Sequence, residues 1–138
     1  TVDRLREALL NAKSVAYSAS ASGTYISSEL FQKLGIADQM KDKAKRIFSE
    51  RVGAVVARGD AELGFQQVSE LIYFKELDFI GTLPNEVQQT IYFSAALVNG
   101  LNTEQAEAAR QLVRFFTSTA VAPIVRATGL DPATQRKP

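Results

Sequence analysis

The chain has 138 residues, 46% apolar and 22% charged, which is room for one domain with a real core. Its net charge of +1, and the lack of any basic cluster interleaved with aromatics, argue against a nucleic-acid partner. Having no cysteine and no histidine excludes disulfides, thiol catalysis, zinc fingers and histidine acid–base chemistry.

In chain order, Leu5, Leu9 and Leu10 share one face of a helix over residues 3–11, with Asp3 at its dipole-favoured start. A short apolar run at 14–17 predicts a buried strand, and it stops abruptly in Ser18-Ala19-Ser20-Ala21-Ser22-Gly23. Tyr25, Ile26, Leu30, Phe31 and Leu34 then recur at helical spacing, which predicts a helix over 23–34 with Gly35 as its stop. A second short helix is expected over 36–45 and an extended piece at 46–48. Lys41–Arg46, the densest basic run, contains Asp42 and reads as a solvated helix face.

Residues 50–58 carry Val52, Val55 and Val56 and end at Arg58-Gly59-Asp60. A strand at 61–65 and a helical turn at 66–71 follow, then a strand at 78–83 closed by Pro84. Residues 90–98 are almost continuously apolar, which predicts a strand buried on both faces. Two helices over 103–118 and 119–128 finish the chain, the first lacking the glutamate of a capping box begun at Thr103. The tail 131–138 is polar and expected to be loose.

Strands alternating with helices predict an α/β fold, a mixed, mostly parallel sheet flanked by helices. In such folds ligands sit beyond the carboxyl ends of the strands. The serine loop and Gln66-Gln67 both follow a strand directly, so both should line one edge. A strand, a small-residue loop and a helix start aim backbone N–H groups at one point, with serine hydroxyls beside them. None of these groups is a full positive charge, so the chemistry read here is anion capture by hydrogen bonds. The plainer alternative is a flexible connection.

AYSASASGTYISSELFQKLGI, VARGDAELGFQQVSEL, DFIGTLPNEVQQTIYFSAALV and EAARQLVRFFTSTAVAPIVRATGLDP resemble, in order and spacing, the molybdate-binding-like solute receptors of ABC importers, which are periplasmic binding proteins of type II topology. The likeness covers about residues 3–132. Members of that family are two-lobed and longer. The resemblance therefore implies a second lobe over 1–98, including a return strand, and C-terminal helices over 99–138 that pack on a first lobe. The opening Thr1-Val2-Asp3 leads straight into a helix, which fits a piece whose upstream part carries the signal. A periplasmic location, an oxyanion or small anionic ligand and delivery to an importer permease are implied with it.

The resemblance also implies the contacts. Ser20, Ala21 and Ser22 would bind through backbone N–H groups and hydroxyls, joined by Gln66 or Gln67 and by the Tyr92 hydroxyl. At Gln66-Gln67 the chain departs from the molybdate pattern, where a small apolar residue is usual. A carboxamide there suits a larger or differently shaped ligand. On a plainer reading the glutamines cap the following turn and Tyr92 is a core residue. Phe65, Phe79, Phe93, Phe115 and Phe116 read as core or lobe–lobe packing.

With an orphaned first-lobe surface at Leu112, Val113, Phe115, Phe116, Val121, Ile124 and Val125, the chain is expected to form a homodimer through its C-terminal helices. The competing function is a ligand-sensing effector domain of a transcriptional regulator, marked by an upstream helix-turn-helix. No enzyme is expected: Glu104 and Glu107 lie on a helix face, no Ser-x-x-Lys pair falls at the cleft, and no cofactor or metal is implied.

Overall fold

The computed structural model describes residues 1–132. Within them the chain forms two compact units that divide between Ile91 and Tyr92. The loose tail expected over 131–138 falls almost wholly outside the described residues.

The first unit holds an α/β layer. Helix α1 (Val2–Asn11) is capped by Thr1, whose hydroxyl accepts from the Arg4 N–H at 3.4 Å. Strand β1 (Val15–Ser18) is the centre of a three-stranded sheet of order β2-β1-β3, parallel throughout. Its neighbours are β2 (Ala44–Ile47) and β3 (Leu63–Phe65). The expected α/β class is therefore observed, with a purely parallel sheet among the described residues.

Between β1 and β2 run helix α2 (21–33) and the short α3 (Ala37–Met40). Helix α2 is continuous but carries a π-turn over Ile26–Leu30. Helix α4 (Val52–Ala57) lies between β2 and β3, and α5 (Val68–Leu71) follows β3.

Alternation along β1 divides the core. Val15 faces a cluster with Leu9, Leu30, Phe31, Ile36 and Met40, and Ala16 faces one with Val52, Val55 and Ala61. The Tyr25 hydroxyl is buried and donates to the Val87 carbonyl. Lys43 closes α1 from below, its ammonium donating to the carbonyls of Leu10 at 2.7 Å and Ala12 at 3.0 Å. Lys43→Met should leave those carbonyls without their charged donor and lower stability by about 1–2 kcal/mol in urea unfolding.

The second unit contains α6 (Thr103–Phe116) and α7 (Ala122–Ala127). The cap of α6 falls one residue before the expected one. Asn102 accepts from the Gln105 N–H at 2.8 Å while the Gln105 side chain accepts from the Asn102 N–H at 3.3 Å, a complete capping box with glutamine in the third place.

Two expected strands are absent. Residues 78–83 and 90–98 are irregular, and Phe79, Ile80, Tyr92, Phe93 and Val98 are exposed where burial was expected. Apolar and β-branched composition suits a strand only where another strand offers its hydrogen bonds, and no strand among the described residues pairs with either segment. Phe115 and Phe116, read as packing residues, are also exposed, whereas Phe65 is half-buried against the main core cluster.

Candidate functional site

β1 ends at Ser18, and the Ala19 N–H is still paired to the Ile47 carbonyl at 3.0 Å, so the chain leaves the sheet in a fixed direction. Ser20 then takes extended dihedrals and starts α2 without a side-chain capping bond. Ala21, Ser22 and Gly23 form the first turn, where helical N–H groups have no partner inside the helix.

Three hydroxyls gather at this turn. Ser18 Oγ lies 2.7 Å from Ser20 Oγ and 3.4 Å from Ser22 Oγ, and Ser20 Oγ is 2.9 Å from Ser22 Oγ. Ser18 is buried, Ser22 half-buried and Ser20 exposed, so the triangle opens outward from the sheet. A hydroxyl both donates and accepts, so each can turn its hydrogen from a neighbour to an anion at little cost.

Gly23 makes this geometry possible. A Cβ there would overlap the Ser18 carbonyl oxygen and sit 2.6 Å from its carbon and 2.9 Å from the Ser18 nitrogen. The turn passes this close to the strand end because position 23 has no side chain.

A full positive charge also reaches the loop, contrary to the reading of the sequence. Arg46 on β2 stands opposite Tyr17 and donates through Nη2 to the Ala19 carbonyl at 3.0 Å and to Thr24 Oγ1 at 3.3 Å. Phe48, two residues along, lies under the guanidinium with 5.4 Å from Cζ to the ring centroid. Arg46 and Thr24 were not singled out as ligand contacts from the sequence, whereas Ser18 was one of the three serines of the loop read there. The signal for Arg46 was its position at the end of a strand parallel to β1.

Gln66 and Gln67 do leave the same sheet edge as the serine loop, since Phe65 is paired with Tyr17. The Gln66 carboxamide is occupied there: its oxygen accepts from the Gly53 N–H at 3.0 Å and its nitrogen donates to Glu70. It thus satisfies an N–H in the first turn of α4. Gln67 is the residue before α5, and its side chain makes no capping bond. Tyr92 belongs to the second unit, in an irregular segment, and is 68% exposed.

The salt bridges of the first unit lie on its surface. Arg58 bridges Glu50 and Asp60, whose hydrogen bonds raise the guanidinium pKa above its ordinary value, while Arg58 holds the Glu50 carboxyl below the usual carboxylate range. Among the described residues no group of three or more acidic residues could hold a metal, and no helix is long and apolar enough to cross a membrane.

The model of a family described as bacterial extracellular solute-binding protein matches residues 1–131. An aconitate isomerase from a Pseudomonas species is 41% identical over 131 residues, covering 95% of this chain and 49% of that protein. The chain spans about half the length of this curated relative. No solved structure gives a significant match. On the span and continuity of the family match, the chain belongs to the bacterial extracellular solute-binding proteins.

Proposed function

We propose that this chain is one half of a receptor for a small anionic solute, with the turn from Ser18 to Thr24 as its capture point. The observation that carries the reading is the serine triangle set over the unpaired N–H groups of α2. The relative's name concerns aconitate, an organic anion with several carboxylates, which favours a carboxylate solute over a molybdate-like oxyanion.

In this reading residues 1–98 form the second lobe and 99–138 return to the first, and closure of two lobes on the solute precedes delivery to an importer permease in the periplasm. Ser20, Ala21 and Ser22 are the primary contacts. Gln67 is a further one and, as the resemblance implies, so is the Tyr92 hydroxyl, while Gln66 holds the first turn of α4 through the Gly53 N–H. Leu112, Phe115, Phe116 and Ile124 stand exposed, and in the isolated chain a second copy covers them. Light scattering then gives twice the 15.1 kDa of the chain, and a clean monomer defeats the pairing.

The functional test is thermal unfolding with trans-aconitate, citrate, succinate, molybdate or sulfate in turn. A ligand at about 100 times its Kd adds about 2.7 kcal/mol of stability. The expected result is stabilisation by the organic anions, lost in the double variant Ser20→Ala with Ser22→Ala. An unmoved melting temperature with every anion defeats the reading. A second reading, isomerisation of aconitate, is favoured by the relative's name alone. Proton NMR of trans-aconitate incubated with the chain decides it, since a second aconitate isomer forms only if the chain turns it over.

A further inference from the structure

Arg46 sits in a position that ordinary helix electrostatics disfavours. Its Nη2 brackets the start of α2, bonded to Ala19 just before the N-cap and to Thr24 just after the first turn. The N-terminus of a helix is itself partly positive and is normally matched by Asp or Glu. The first turn of α2 contains no acidic residue. No carboxylate among the described residues pairs with Arg46, a condition it shares with Lys45 beside it on β2 and with other surface cations.

The partly positive start of α2 and the Arg46 guanidinium therefore lie close together with only a carbonyl and a hydroxyl oxygen, and no carboxylate, beside them. A local rule broken without compensation inside the chain marks a place where the compensation comes from outside. The group is also held in position. Both Nη2 hydrogens are spent on Ala19 and Thr24, Phe48 supports the guanidinium plane, and Nε and Nη1 have no acceptor among the described residues. A flexible surface arginine would meet a ligand only after losing side-chain entropy. This one has lost much of it already.

We propose that Arg46 is a specificity-determining residue of the anion site, binding a second carboxylate of a solute whose first carboxylate lies on the serine turn. The solute class is then a small polycarboxylate carrying at least two carboxylates. The inference rests on the reading of the serine turn as the capture point and adds to it a selection by charge number. A guanidinium with Nε–H and Nη1–H free presents the donors that a carboxylate oxygen accepts.

A purely structural Arg46, tying the loop to β2, predicts something different. Its loss would weaken every anion alike. A residue that reads the second carboxylate changes affinity only for ligands that have one.

The test is isothermal titration of the full chain and its Arg46→Gln and Arg46→Lys variants with citrate, trans-aconitate and acetate. The expected result is a loss of about 10- to 100-fold for citrate and trans-aconitate in Arg46→Gln, with acetate changed by less than about 3-fold. Arg46→Lys should recover part of the loss, because it keeps the charge without the fixed Nε–H and Nη1–H donors. Equal losses for all three ligands, or none in any, overturn the inference. If Ser20→Ala with Ser22→Ala abolishes citrate binding while Arg46→Gln matches the parent, the capture point stands and the role of Arg46 fails. If no anion binds the parent chain, both fail together.

Discussion

Gly23→Ala is expected to cost about 3 kcal/mol or more in urea unfolding and to abolish any stabilisation by organic anions. The added methyl has no direction in which to relax. It meets backbone atoms of Ser18, the last residue of the central strand, whose carbon would lie 2.6 Å away. A clash with the end of a long side chain is relieved by a rotamer change, but here either the strand or the helix must shift. Shifting the helix pulls Tyr25, Ile26 and Leu30 from the core, and shifting the strand breaks its register with β2 and β3. Domains of this size are stable by about 5–15 kcal/mol, so the loss is a large share of the total. A variant with parental stability and parental anion response would show that the turn does not pass the strand end as described.

How far this turn was readable in advance follows from which of its parts are local. The strand, the serines and the helix after them were legible because an apolar run, a cluster of small polar residues and a helical repeat succeed one another within twenty-odd residues. The same locality exposed α1, β3, α6 and α7. Arg46 was not legible as part of the turn. It lies 22 residues from Thr24, and only the parallel register with β1 brings it there. The π-turn at Ile26–Leu30 was equally hidden, since it adds no residue type that a plain helix lacks.

The strands expected at 78–83 and 90–98 failed for the reverse reason. Their composition is right for a strand, but strand formation is a property of two segments, and the partner cannot be read from one of them. Gln66 shows the same limit at a single side chain. Its place at the sheet edge was legible, but its engagement with Gly53 depends on where α4 starts in space.

Leu30→Ala is expected to remove about 3 kcal/mol, within the range for leucine truncation in a packed core. Leu30 is fully buried and packs in the cluster that includes Leu9, Val15, Ile36 and Met40. It also lies in the π-turn of α2, the segment that carries the helix from the serine turn down onto the sheet. Loosening it loosens the helix that carries the serine turn, so the anion response should fall with the stability, although Leu30 has no polar group to offer a ligand. Leu112→Ser on α6 is the control. That residue is 55% exposed, so its loss should change unfolding by less than about 0.5 kcal/mol while reducing any self-association seen by light scattering. Apart from Val121, the buried apolar residues described lie between Leu9 and Val87. The packing that fixes the serine turn is thus contained within the first unit. If Leu112→Ser destabilises the chain as much as Leu30→Ala does, the second unit supplies packing that this distribution of burial denies it.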